Sequence, residues 1–212
     1  MKNNDFNERQ NPRTMVISYL SLRIAVGILG IAFPIIMAAG YWIADGEGIR
    51  TSISSYYHTG MRDLFVGILC AVALFLFSYI GYEKKDNVAG DLAAIFALGV
   101  AFFPVSSGLA GTIHLISAVL FFLLLAFFSL FLFTKGDPNP TRQKRKRNKL
   151  YRICGYVILG AILIVLIYSI FPGLYYAISG IKPTFWLETI ALWAFGVSWL
   201  TKGNVLFRDA TD

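Results

Sequence analysis

The chain has 212 residues, 57% of them hydrophobic, 16% aromatic and only 15% charged, with 19 Lys and Arg against 12 Asp and Glu for a net charge of +7. A soluble domain carries roughly a quarter charged residues and has no interior large enough for this much apolar surface, so the composition argues for one domain that faces lipid. The two cysteines, Cys70 and Cys154, both lie inside apolar runs, which argues against a disulfide framework and against a Cys-x-x-Cys metal site.

Residues 1–16 form a polar tail. The apolar segment 17–42 is too long for the core of a cleavable signal and has no small-residue cleavage site after it, so it reads as a span that stays in the membrane. Five more apolar segments follow at 64–82, 90–106, 113–133, 153–171 and 185–200, and 204–212 form a second tail. Crossing the hydrocarbon takes about 20 helical residues. The segments 64–82, 113–133 and 153–171 have that length, whereas 90–106 and 185–200 are short and need flanking residues or a thinner bilayer. The runs are continuous rather than alternating, which points to helices and not strands. The expected fold is all-α, a polytopic bundle of six transmembrane helices over 17–203.

Lys and Arg set the orientation. They gather in the first tail (Lys2, Arg9, Arg13), the second loop (Lys84, Lys85), the fourth loop (Lys135 and the run 142–149) and after the last segment (Lys202, Arg208). The intervening loops are poor in them. Six spans with both termini in the cytoplasm explain this alternation and place the chain in the cell membrane, the inner one in a Gram-negative cell. The run Arg142-Gln143-Lys144-Arg145-Lys146-Arg147-Asn148-Lys149 resembles a nucleic-acid or targeting patch. In a short loop between spans it reads as a topology determinant, attracted to anionic lipid by about 1 kcal/mol per charge. Membrane lipids are the expected partners, with no nucleic acid and no soluble protein, and self-association is left open.

With that topology the polar residues collect on the outer side. Ser52, Ser54, Ser55, Tyr56, Tyr57, His58, Arg62 and Asp63 fall in the first outer loop, His114 at the start of the fourth segment, and Glu188 near the start of the sixth. If the second helix begins near Ser55, His58 and Arg62 share a face. Arg62 and Asp63 cannot pair with each other on one helix, so each is expected to reach another span, where Glu188 and His114 are the obvious partners. The alternative is that Arg62 reaches lipid phosphate while Asp63 caps its helix. His114 serves as an interfacial hydrogen-bonder or as a base. Glu188 stands one residue too late for a capping box with Thr184 and so wants a partner.

The stretch Ile53-Ser54-x-x-Tyr57, then Arg62–Gly67 (RDLFVG), Asn87 and Gly90, HLISAVLFF from His114 and FWLETIAL around Glu188 together resemble the six-span DRAM-like membrane family. That family includes eukaryotic proteins of GPI-anchor lipid remodelling, together with bacterial relatives, and the resemblance covers most of 17–203. It implies a six-span helical fold with Ser54, His114 and Glu188 as shared polar positions. Where the family's serine is followed by acidic, proline-bearing sequence, this chain has Ser55-Tyr56-Tyr57-His58. Seven-span intramembrane zinc hydrolases use three histidines; this chain has two, so only a site of His58, His114 and a carboxylate remains as a zinc alternative.

The expected function is lipid binding or lipid handling in an outer-leaflet pocket between the second, fourth and sixth spans. His58, His114, Glu188 and Asp63 are the catalytic candidates, and Arg62, Ser54, Ser55 and Tyr57 the headgroup-binding candidates. There is no Gly-x-Ser-x-Gly elbow to support hydrolysis, and no cofactor is expected. A transporter or channel is the first alternative, although the middles of the spans are nearly free of charge. A non-catalytic organiser or sensor is the second, and a bis-histidine haem protein the most remote.

Overall fold

The computed structural model describes residues 12–46, 48–81, 83–136 and 138–207, with the backbone alone for 12–19, 172 and 175. Residues 1–11 and 208–212 of the two expected tails therefore lie outside the described residues. About 80% of the described residues are helical, and none of them is in a strand. Among the described residues seven α-helices follow in order: α1 (Pro12–Asp45), α2 (Arg62–Phe77), α3 (Lys84–Phe102), α4 (Leu109–Phe127), α5 (Arg142–Ile170), α6 (Pro172–Ile178) and α7 (Pro183–Lys202). Leu20–Asp45 in α1, Leu109–Leu132 through α4 and its π-helical extension, and Arg142–Ile170 are long and apolar enough to cross a membrane, consistent with a membrane protein.

Local chemistry sets the helix boundaries. At the start of α3, Glu83 and Asp86 form a reciprocal capping box, so the helix begins ahead of its apolar stretch. The Thr141 hydroxyl accepts the Lys144 N–H at 3.1 Å and caps α5. The basic run is consequently the first two turns of α5 rather than a loop. Phe171 precedes Pro172 and is pushed to an extended conformation (φ −107°, ψ 93°), which ends α5. Helix α2 stops at Phe77 after 16 residues, short of the end of the apolar segment 64–82.

Helix α1 packs on α2, α2 on α3, α3 on α4 and α4 on α5, while α7 lies between α5 and α1. The α1–α7 contact is a seam of small residues. A Cβ added to Gly196 would stand 2.7 Å from the Gly27 carbonyl oxygen, so only glycine allows the backbones this close. Trp193 donates to the Ile31 carbonyl across the same seam (3.1 Å). The π-helical turn Phe128–Leu132 that ends α4 brings Ser129 within 3.0 Å of Ser198 on α7, both fully buried.

Two apolar cores result. One joins Tyr56, Met37, Phe65 and Phe185; the other joins Tyr79, Phe128, Phe133, Tyr151 and Trp199. Beside the second, the Asp86 carboxylate is fully buried and takes the Lys135 ammonium at 2.5 Å, with Glu83 at 3.6 Å from the same nitrogen. The hydrogen bond to Asp86 holds Lys135 above its ordinary range, and a hydrogen bond from Lys85 holds Glu83 below its own. Outward, large apolar side chains stand exposed on every long helix, among them Ile35, Leu74, Ile95, Leu115, Leu163 and Ile190. Exposure on that scale fits lipid contact better than water.

Candidate functional site

Helix direction brings the start of α4, the end of α5 and the start of α7 to one end of the molecule, where the connection between α1 and α2 folds over them. That connection is ordered by its own hydroxyls. Ser55 donates its backbone N–H to the Ser52 Oγ (3.1 Å) and its hydroxyl to the Ser52 carbonyl (2.6 Å), shaping a 3₁₀ turn over Ser54–His58. Tyr56 turns inward and is wholly buried between Tyr41 and Phe185, with ring centroids 5.5 and 6.4 Å away. Its hydroxyl accepts the Arg50 N–H at 3.3 Å, and burial pushes the phenol above its ordinary value. Three bonds lash the connection to α7: Lys182 donates to the Ile49 carbonyl, Phe185 N–H to Thr51 O at 3.1 Å, and Ile53 N–H to Glu188 Oε2 at 2.6 Å.

The turn from α3 to α4 is equally tight. Gly108 has φ +83°, and a Cβ on Gly111 would fall 1.7 Å from the Ser106 carbonyl oxygen, inside bonding contact. Closure of this turn sets the buried His114 beneath it, with Nδ1 2.7 Å from the Phe103 carbonyl. A carbonyl only accepts, so Nδ1 carries the proton of this bond.

Between these elements lies a cavity of about 350 Å³. Its polar groups sit at the end just described: Ser52 and Ser54, His114, Ser169 in the last turn of α5, and Thr184 and Glu188 in the first turns of α7. One to two turns deeper the walls are apolar, with Ala118 and Phe122 from α4, Ala161 and Ile162 from α5, and Ala191 from α7. Glu188 stays partly accessible because the cavity reaches it. The volume falls in the ~300–1,000 Å³ range of ligand sites, as does the pattern of apolar walls with a few convergent polar groups.

Ser54, His114 and Glu188 thus meet in one cavity, and the other sequence candidates stand outside it. His58 is exposed at the rim, its Nε2 donating to the carbonyl of Val105, a lining residue (2.7 Å). Arg62 donates to the Tyr57 hydroxyl (2.7 Å) and lies over its ring, 4.5 Å from the centroid. Asp63 is exposed in the first turn of α2, and Ser55 spends its hydroxyl inside its own turn. His58 and Arg62 do not share a helix, because Thr59 is extended (φ −129°, ψ 177°) and separates the 3₁₀ turn from α2. The partners expected for Arg62 and Asp63 are engaged elsewhere: Glu188 accepts from Ile53, and His114 bonds to Phe103. The third wall is α5, not α2. The sequence does not single out its Ser169, although it lies within a turn of the proline-marked end of α5, and offers Thr184 only as a near miss for a capping box.

Among the described residues no group of three or more His, Cys, Asp or Glu is gathered as a metal site, and His58 and His114 bond separate carbonyls. What the cavity offers is hydrogen bonding: an imidazole, a carboxylate and several hydroxyls over an apolar well. Comparisons with protein-family models, with curated proteins and with solved structures found no match to this chain.

Proposed function

We propose that this chain is a multi-pass membrane protein, a six-helix bundle with both termini on the cytoplasmic side, that binds or handles a lipid in the cavity between α4, α5 and α7. In this reading α1 to α5 and α7 are the spans, with α6 an outer connection, and the lysine-rich loops face the cytoplasm. The acyl chain lies along Ala118, Ala161 and Ala191, and the headgroup meets Ser54, His114 and Glu188. The observation that carries the reading is the polarity of the cavity. Its hydrogen-bonding groups are confined to one end and its apolar walls to the other, which matches an amphiphile better than a uniformly polar solute. The positions implied by the DRAM-like resemblance, Ser54, His114 and Glu188, are also the ones that line it together, which supports a shared role.

Mass spectrometry of lipid retained by the purified protein tests the reading. Wild type is expected to carry lipid, Ala118→Phe to lose it by filling the well, and Glu188→Gln to change the headgroup class retained. A wild type that purifies empty from lipid-rich nanodiscs, or lipid retention indifferent to Ala118→Phe, ends the proposal. Labelling of Gly60→Cys from outside the cell and of Lys146→Cys only after permeabilisation tests the topology separately.

A further inference from the structure

Most polar groups at the mouth of the cavity between α4, α5 and α7 are engaged within the protein. His114 bonds through Nδ1 to the Phe103 carbonyl, and Ser169 donates to the Val165 carbonyl at 2.7 Å. The Thr184 hydroxyl bonds to that of Tyr168, and Ser52 Oγ accepts the Ser55 N–H. Ser54 and Glu188 are the exceptions. Ser54 lines the cavity and is only 8% exposed, yet its hydroxyl has no hydrogen-bond partner among the described residues. Glu188 gives Oε2 to the Ile53 N–H, and its Oε1 has no partner among the described residues either. Buried polar oxygens without partners are costly, and a ligand that supplies the missing hydrogen bonds removes that cost.

Charge narrows the choice of ligand. No Lys or Arg is among the described lining residues, and Glu188 is the one carboxyl group among them. The basic side chains at this end turn elsewhere: Arg50 to the Tyr41 hydroxyl (3.4 Å), Arg62 to the Tyr57 hydroxyl and Lys182 to the Ile49 carbonyl. A second cavity, of about 390 Å³ at the opposite end of the molecule, makes the contrast, with Arg23, Lys135, Lys144, Arg147 and Lys202 in its lining. A buried phosphate needs cations to offset its lost hydration. Brought to a carboxylate, it also meets an acceptor where it needs a donor. A headgroup hydroxyl meets neither difficulty, because it can donate to Glu188 Oε1 and exchange a hydrogen bond with Ser54.

Resting on the lipid-binding reading, we infer that the headgroup taken here is uncharged, phosphate-free and hydroxyl-bearing, as in a neutral glyceride, with Ser54 and Glu188 as its hydrogen-bonding partners. The full chain is placed in phosphatidylcholine nanodiscs doped equally with monooleoylglycerol and oleoyl lysophosphatidic acid, which share chain and glycerol and differ by the phosphate. Mass spectrometry of the lipid kept after release of the protein into detergent reads the preference. Wild type is expected to keep the glyceride over the phosphate ester by at least about tenfold, because a buried phosphate without cations loses more than a hydroxyl does. Ser54→Ala should weaken glyceride retention about fivefold, as loss of one neutral hydrogen bond implies. Its melting temperature should match wild type, since that hydroxyl bonds nothing else among the described residues. Ala118→Phe should abolish the preference by filling the well, which separates cavity lipid from lipid on the outer surface. Retention of the phosphate ester or of phosphatidylcholine at or above the glyceride overturns the headgroup assignment and leaves lipid binding standing. A preference that survives Ala118→Phe, or a Ser54→Ala variant that keeps the glyceride as wild type does, also overturns the assignment. If neither probe nor phosphatidylcholine is retained, the lipid reading falls with it.

Discussion

The two cavities are close in size, about 350 and 390 Å³, and opposite in construction. The first has apolar walls from α4, α5 and α7 and a polar mouth where His114, Ser169 and Glu188 already hydrogen-bond to backbone. The second is ringed by cations from four segments of the chain. The first offers apolar burial, and the second offers charge. Raising salt should therefore leave lipid retention in the first unchanged, because screening acts on charge and not on apolar burial.

The comparison breaks if damage at one end spreads to the other. The largest effect is expected from Gly111→Val, whose side chain has to displace the Ser106 carbonyl; the cost is about 3 kcal/mol. Unfolding in detergent should show that loss together with loss of cavity lipid. Asp86→Ala removes a buried carboxylate and half of a capping box, at a cost of about 2 kcal/mol, and should leave lipid retention intact. Glu188 separates latch from ligand contact. Glu188→Ala abandons the Ile53 N–H and costs about 1 kcal/mol, whereas Glu188→Gln keeps an acceptor oxygen there and changes stability little.

One effect joins both ends. Tyr56, raised by burial, and Lys135, raised by Asp86, keep protons in the folded state that the unfolded chain gives up near their ordinary values of 10.0 and 10.5. Their contribution is full below those values and is lost as pH rises through the folded ones. The melting temperature should fall on the alkaline side, and Tyr56→Phe should remove part of the fall. On the acid side Glu83, held low first by Lys85, loses its smaller contribution as pH falls below the carboxylate range. The smallest effect belongs to His58→Ala, an exposed rim residue, at under about 0.5 kcal/mol.

Apolar runs reveal helices because each long run needs lipid or partners along its whole length, and the all-helical architecture is legible for that reason. The site is half legible. Ser54, His114 and Glu188 announce themselves as polar groups at apolar helix ends. The contribution of α5 does not, since Ala161 and Ile162 differ in nothing from residues that face lipid. Thr59 breaks the helix that would have joined His58 to Arg62, yet Thr-Gly before Met61 is a mild signal beside Ser-Tyr-Tyr-His. Asp86 reads as an ordinary helix-start acid; its partner Lys135 lies 49 residues away and only packing of α3 against α4 joins them.

The glycine seam between α1 and α7 has a consequence for synthesis. The two helices that meet there are the first and last of the seven to leave the ribosome, with Gly27 and Gly196 separated by 169 positions (196 − 27). Until α7 is made, the glycine face of α1 has no backbone to lie against, and the intervening helices must assemble without that closing contact. A chain cut before Pro183 would leave α1 in that waiting state, open to a membrane chaperone or to the α7 of a neighbouring copy.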